Sequence, residues 1–284
     1  MIEVTADWLA AHPLPQPGGD TDKNKRGRLL AAGGSETVPG ALRLTGEAAL
    51  RAGAGKLQLA TVERAALRLG IAMPEAAAFP LPANDHGELG SEAGTALAEL
   101  VERCDALVLG PGMGAKADAS AILKAVLAAA GPDQALLIDA GAIGDCTPIT
   151  GALRGHAGHL VFTPHPGEMA LLMQCDEADV TDDHAHQAAE RFHAVIVLKR
   201  AETVIASPGG AMLHYPGGGP GLATGGSGDV LAGIIGGLLA GGAAPDVAAA
   251  WGVWLHGEAG RALGPPGFLA RELLPRIPAL LDRP

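Results

Sequence analysis

The side chains able to do chemistry are concentrated in a few short motifs. Thr224-Gly225-Gly226-Ser227-Gly228-Asp229 precedes an apolar run that reads as a helix over 229–240. Glycines let a backbone approach a phosphate, and the N–H groups of a first helical turn point at it. Asp229 falls in that turn. A carboxylate there can take a proton from a substrate hydroxyl while the N–H groups stabilise a transferring phosphoryl group. The helix N-terminus that suits Asp229 as an anion also weakens it as a base. The plainer reading is a glycine-rich helix start with an acidic residue favoured by the dipole. The motif is not a Walker loop, because no Gly-Lys-Ser/Thr follows.

Thr163-Pro164-His165-Pro166-Gly167-Glu168 holds a histidine between two prolines at a strand end. Such a histidine either faces a ligand or caps the backbone of a rigid turn. Gly110-Pro111-Gly112-Met113-Gly114 is a tight turn with no side chain to obstruct a ligand. Asp139 ends an apolar strand, where a charge is costly unless it serves the rim, for example through water to Mg²⁺, or caps a loop. Lys199 ends the apolar run 195–198, where it can meet a nucleotide phosphate or a surface carboxylate. Gly53-Ala54-Gly55-Lys56 reads as structural, permitting close helix–strand packing. His156 and His159 read as solvated residues of a loop, and no second histidine stands at metal-ligand spacing from His165.

These motifs need elements to hold them. Apolar runs predict strands over 29–32, 56–61, 106–109, 135–138, 160–162 and 195–198, and a hairpin over 203–206 and 211–214. Longer amphipathic segments predict helices over 39–52, 95–102, 119–130, 168–174, 183–192, 229–240 and 246–263. Strands that are apolar throughout belong to a sheet covered on both faces, and their alternation with helices predicts α/β with a mostly parallel sheet. In such a sheet the ligand lies beyond the carboxyl ends of the strands. The polar and glycine-rich motifs follow strand after strand, at that one rim. Residues 12–27 are rich in Pro, Gly and charge and read as a loop. The chain reads as a single domain over 1–284, with 1–24 as a leading segment.

Composition removes other classes. The formal net charge is −11 and aromatic residues are 3%, which disfavours nucleic-acid binding. Glycine, 42 of 284 residues, is about twice its ordinary share but has no collagen period. The three cysteines are scattered, which argues for a reducing compartment and against a zinc ribbon. No signal peptide or segment of membrane-spanning length is evident, so a cytoplasmic protein without membrane contact is expected. Trp251, Trp254 and His256 lie on the last long helix and read as core or a subunit contact rather than a cofactor contact, and the spacing of Trp251, Trp254, Leu255 and Ala259 places several of them on one face. Mean hydropathy is +0.23 with 18% charged residues, which favours a homo-oligomer.

Taken jointly, AGGS (32–35), PGA (39–41), ALRAGAGK (49–56), DALVLGPGMG (105–114), LLIDAGAI (136–143), TPHPGEM (163–169), VIVLK (195–199) and ATGGSGDVLAGII (223–235) resemble the ADP/ATP-dependent NAD(P)H-hydrate dehydratases of the ribokinase-like superfamily. The resemblance implies a ribokinase-like three-layer sandwich with helices on both faces of the sheet. It implies phosphorylation of the ring hydroxyl of hydrated NADH or NADPH by ADP or ATP with Mg²⁺, then loss of phosphate to restore the ring. Asp229 would be the base. Ala41, Gly112, His165 and Asp229 would contact the hydrated dinucleotide. Lys199, Arg200, Ala201, Glu202, Thr203, Gly225, Gly226, Ser227 and Gly228 would contact the adenine nucleotide. The resemblance identifies no metal ligands. It also implies a homo-oligomer, for instance a tetramer, and a separate NAD(P)H-hydrate epimerase, since a fused one would not fit in this length. Two departures stand out: Arg200 follows Lys199 where the family usually has Gly, and DKNKRGR (22–28) lacks the common His-Lys-Gly. A kinase of the same superfamily acting on a vitamin precursor or sugar would share the glycine loop but lack TPHPGE. A non-catalytic nucleotide sensor would be expected to lose Asp229 or the loop.

Overall fold

The structure, a computed structural model, describes residues 1–16, 18 and 22–282. Residues 17 and 19–21 of the loop expected over 12–27, and 283–284 of the single-domain reading, lie outside the described residues. The chain begins with β1 (Ile2–Glu3), α1 (Ala6–Ala11), β2 (Arg28–Ala32), α2 (Ala41–Arg51), β3 (Lys56–Val62), α3 (Glu63–Ala72) and β4 (Ala76–Leu81). It continues with α4 (Ala93–Val101), β5 (Ala106–Leu109), α5 (Ala119–Ala129), β6 (Ala135–Ile138), α6 (Thr150–Leu153), β7 (Leu160–Phe162), α7 (Pro166–Met173) and α8 (Asp182–Phe192). The last elements are β8 (Val195–Leu198), β9 (Thr203–Ala206), β10 (Met212–Tyr215), α9 (Ser227–Ala240), α10 (Pro245–Leu263) and α11 (Ile277–Leu281).

The sheet runs β1-β10-β9-β8-β7-β6-β5-β2-β3-β4. Among the described residues, only β9 runs against its neighbours, β8 and β10. Side chains alternate faces along each strand. Leu29, Ala31, Val108, Leu137 and Val197 pack under α2, α9 and α10. Leu30, Ala32, Leu107, Leu136 and Leu198 pack on the other face, under α4, α5 and α8. The result is the three-layer α/β arrangement the continuous apolar strands require.

Helices α2 and α9 lie in backbone contact. A Cβ on Gly233 would fall 2.2 Å from the Thr45 carbonyl oxygen, and one on Gly237 would fall 2.6 Å from that of Ala49. Close packing of this kind fixes the two helix N-termini relative to each other.

Several expectations are corrected. Residues 1–11 are not a mere leader: β1 pairs in parallel with β10, covering the hairpin's edge. Helix α3 and strand β4 escape the periodicity, because Leu67 and Ile71 of α3 face outward and β4 carries Pro80 on an edge. His156 is buried, not solvated, with Nε2 2.9 Å from the Leu127 carbonyl oxygen. A Cβ on Gly55 would fall 2.1 Å from the Lys23 carbonyl oxygen, so that glycine admits the turn before β2. The Trp251 face resolves as core. Trp251, Leu255 and Ala259 are buried, and the indole N–H donates to the His12 carbonyl at 2.9 Å.

Candidate active site

Chain order reverses between β2 and β5: β3 and β4 continue one way across the sheet, β6, β7 and β8 the other. A ligand crevice is expected outside the carboxyl rim at such a switch point, and here the loops after β2 and β5 meet beneath it, the Gly34 N–H donating to the Pro111 carbonyl at 2.7 Å. Gly110 and Gly112 permit this close approach of the rim loops. Gly110 has φ +126°, and a Cβ there would fall 1.8 Å from the Asp139 carbonyl oxygen. Gly112 has φ +72°, and a Cβ there would fall 2.7 Å from that of Ala41. Ala41 and Gly112 thus meet, as the first turn of α2 faces the glycine loop.

A second cleft, of about 850 Å³, lies on the far side of the α9 N-terminus. Lys199, Arg200, Ala201, Thr203, Ser227 and Gly228 line it, together with His165. Its volume is that of a small-molecule or cofactor site. His165 therefore stands with the residues expected on the nucleotide side, apart from Ala41 and Gly112. Glu202 turns away and pairs with His214 at 3.2 Å. Gly225 is exposed, and Gly226, in the left-handed region at φ +89°, faces Leu44 of α2. Arg200 is ion-paired with Asp182.

Charge at the rim is organised around Lys199. Its Nζ donates to Asp139 Oδ1 at 3.0 Å and lies 3.8 Å from Glu168 Oε2. Asp139 is 2% exposed and also accepts from Thr163 Oγ1 at 2.6 Å. Burial opposes the charge on Lys199, but Asp139 and Glu168 outweigh it and hold the ammonium above the ordinary lysine value. The same Nζ lies 3.6 Å from where a Cβ on Gly228 would sit, so the cation adjoins the glycine loop. Burial pushes Glu168 up, with Lys199 opposing.

Asp229 stands in the first turn of α9, between the crevice and the cleft. Burial, reinforced by Asp139, lifts its carboxyl to about 7 against the opposing pull of Lys199. The dipole alone would depress it, so the environment resolves the tension read in the sequence in favour of basicity.

His165 caps α7. Its Nδ1 accepts from the Gly167 N–H at 3.0 Å and the Glu168 N–H at 3.4 Å, and its own N–H donates to Glu168 Oε2 at 2.8 Å. An accepting Nδ1 places the ring proton on Nε2, which stands 3.3 Å from Glu168 Oε1. The ring thus caps the turn, as the second reading of His165 had it, and it also lines the cleft.

Sequence reasoning read His256 as core or a subunit contact rather than a cofactor contact, and missed Tyr215 and the loop 216–220. His256 lies in mid-α10, with Nε2 2.9 Å from Ser227 Oγ, and burial drives it down to about 4, so it is neutral. Nothing in its local spacing marks it, since only the packing of α10 against α9 brings it to the glycine loop.

A family model described as NAD(P)H-hydrate dehydratase matches residues 29–269. The chain belongs to that family. Among NAD(P)H-hydrate dehydratases, an ADP-dependent (S)-NAD(P)H-hydrate dehydratase of Xanthomonas campestris is 46% identical over 99% of this chain and 96% of its own length. A bifunctional NAD(P)H-hydrate repair enzyme of Moorella thermoacetica is 38% identical over 98% of this chain, which spans 53% of that relative. Among solved structures, a ribokinase-like superfamily protein of Enterococcus faecalis superposes with TM-score 0.83 at 30% identity, covering 99% of this chain and 95% of that one. The ADP/ATP-dependent NAD(P)H-hydrate dehydratase of Bacillus subtilis, co-crystallised with ATP and Mg²⁺, superposes with TM-score 0.81 at 28% identity, covering 99% of this chain and 98% of that one. The fold is thus ribokinase-like, as the resemblance implied.

Proposed function

We propose that this dehydratase restores hydrated NADH or NADPH, the S epimer, to the reduced dinucleotide at the expense of a nucleotide phosphoanhydride. The observation that carries the site assignment is the 226–229 turn. It touches α2 through Gly226 and adjoins Lys199 through Gly228, so Asp229 stands between a crevice for one ligand and a cleft for another.

The hydrated ring occupies the crevice beside Ala41 and Gly112, with its hydroxyl at Asp229. The carboxylate takes the hydroxyl proton as the oxygen attacks the terminal phosphorus of the nucleotide, and the bond to the bridging oxygen breaks. The N–H groups of the α9 first turn and the ammonium of Lys199 stabilise the charge on the transferring group. Phosphate then departs with the electrons of its carbon–oxygen bond. The neighbouring carbon gives up a proton, and the double bond returns. Ser227, Gly228, Ala201 and Thr203 hold the nucleotide. Arg200, drawn to Asp182, borders it from the side. Glu202, Gly225 and Gly226 stay in this reading as loop scaffold, and His165 as a residue of the cleft wall.

The described residues hold no cluster of three or more His, Cys, Asp or Glu able to cage a metal. Asp139 is already engaged by Lys199 and Thr163. The donor set therefore suits Mg²⁺ only as an ion carried by the phosphates and water, where it neutralises phosphate charge.

The deciding assay mixes the protein with hydrated NADH, Mg²⁺ and either ADP or ATP, and follows the near-ultraviolet absorbance of the reduced ring. A rise with ADP is expected first, because the Xanthomonas relative is named ADP-dependent. No rise with either nucleotide would reject the activity.

An NAD(P)H-hydrate epimerase is the pathway partner in this reading, and the setting is cytoplasmic. No helix of the described residues is long and apolar enough to cross a membrane. A homo-oligomer is part of the same proposal. Its support is now the surface rather than the tryptophans: Leu67 and Ile71 are each 74% exposed and stand one helical turn apart on α3. Light scattering coupled to size exclusion should give a multiple of 28.4 kDa, and a monomer mass would refute it.

A further inference from the structure

Beside the crevice, α2 and α3 enclose a separate cleft of about 320 Å³. It begins at Pro39 and Gly40, the two residues before Ala41, and its walls include Arg43, Arg64, Arg68 and Leu69. In a chain of formal net charge −11, three arginines converge here from two helices. One acidic residue, Glu36, accompanies them.

Their own bonds leave most of this charge unspent. Arg64 pairs with Glu36 at 3.0 Å, and Arg68 donates to the Arg64 carbonyl at 2.8 Å, which neutralises nothing. Arg43 makes no hydrogen bond or ion pair among the described residues. The remaining wall is apolar and shallow, formed by Pro39, Leu69 and small alanines.

We propose that this cleft receives the adenosine end of the hydrated dinucleotide, and that Arg43, Arg64 and Arg68 bind its 2′-phosphate, giving preference for the phosphorylated form. The inference rests on the dehydratase reading above. With the ring hydroxyl at Asp229 and the nicotinamide in the crevice, the rest of the dinucleotide must leave past Ala41, and this cleft opens there. An adenine suits the apolar wall, and guanidinium planes stack on such rings. A phosphate monoester carries about two negative charges and three terminal oxygens, and so can accept from guanidinium groups converging from different helices. A diphosphate linkage would be common to both dinucleotides and would give no preference. Glu36 competes with the phosphate for Arg64.

The test is direct binding of NADPH and of NADH, the stable products, by titration calorimetry without a phosphoryl donor. Wild type should bind NADPH tighter by roughly 10–100-fold, the scale of charge-assisted contacts to phosphate. Arg43→Ala/Arg68→Ala should close that gap by weakening NADPH alone, and both sites are exposed enough to leave folding intact. Glu36→Gln should widen the gap. The assignment is overturned if wild type binds the two equally, if the gap survives the double variant, or if both dinucleotides weaken together. Turnover of hydrated NADH separates the two levels. A wild type that turns it over yet shows no NADPH preference loses only this assignment, whereas one that turns over neither hydrate loses the dehydratase reading as well.

Discussion

Asp229→Asn should lower turnover by roughly 10²–10⁴-fold, the range for loss of a general base, while nucleotide binding is kept. The substitution preserves shape and hydrogen-bonding reach and removes only the proton acceptor. A wild-type rate that depends on an ionised Asp229 rises with pH through about 7, and the residual rate of the variant should lack that limb. Stability should move the opposite way. Folding raises this carboxyl from 3.8 to about 7, so between those values the native state holds a proton that the unfolded chain has released. Its contribution to stability is therefore present below that window and is lost as pH rises through it. On the alkaline side the native state carries a buried carboxylate beside Asp139, and Asn relieves that cost. Thermal melts should show the variant gaining on wild type as pH rises. Activity within a few-fold of wild type would remove Asp229 from the mechanism, and a gap in melting temperature independent of pH would refute the electrostatic account.

Lys199→Met should destabilise the fold by about 3–5 kcal/mol, the cost of stranding a buried partner charge. Asp139 is 2% exposed and loses its cation, and Glu168 loses the ammonium 3.8 Å away. Adding Asp139→Asn removes the stranded charge and should recover much of the loss in urea titrations, since Thr163 Oγ1 can still bond the amide oxygen. Activity should not return with stability, because the cation beside the glycine loop is gone. Any surviving activity should have its acid limb displaced to higher pH, since Lys199 is the group that holds Asp229 down. A single variant as stable as wild type would show that the ion pair contributes nothing net.

How far this was legible follows from range. Strands β5, β6 and β8 were readable to the residue because a strand buried on both faces is apolar throughout, and that is a local property. Asp139, Lys199 and Asp229 were legible as rim residues because each follows or precedes such a run. Their partnership was not. Lys199 was expected at a phosphate or a surface carboxylate, yet its partner is a buried one 60 positions away, and only strand order places β6 and β8 on either side of β7. His256 was read as core or a subunit contact without its partner Ser227, and Tyr215 escaped, for the same reason: helix–helix and hairpin packing bring them to the cleft, and that leaves no trace in spacing. That His165 lines one cleft with Lys199 and Ser227 was not legible either, because sequence orders loops along the chain and not in space.

The backbone contact between α2 and α9 bears on how the enzyme must release its product. With Gly233 seated on Thr45 and Gly237 on Ala49, neither helix can slide or tilt away without losing contacts along its length. Ala41 and Asp229 begin these two helices and form one rigid block. Opening cannot come from a hinge that draws the dinucleotide half away from the phosphoryl-donor half. Of the connecting segments, the one after β2 is tied to the glycine loop, the Gly34 N–H donating to the Pro111 carbonyl at 2.7 Å, whereas 216–224 borders only the cleft, so the exit of spent nucleotide can be slowed without slowing that of the dinucleotide.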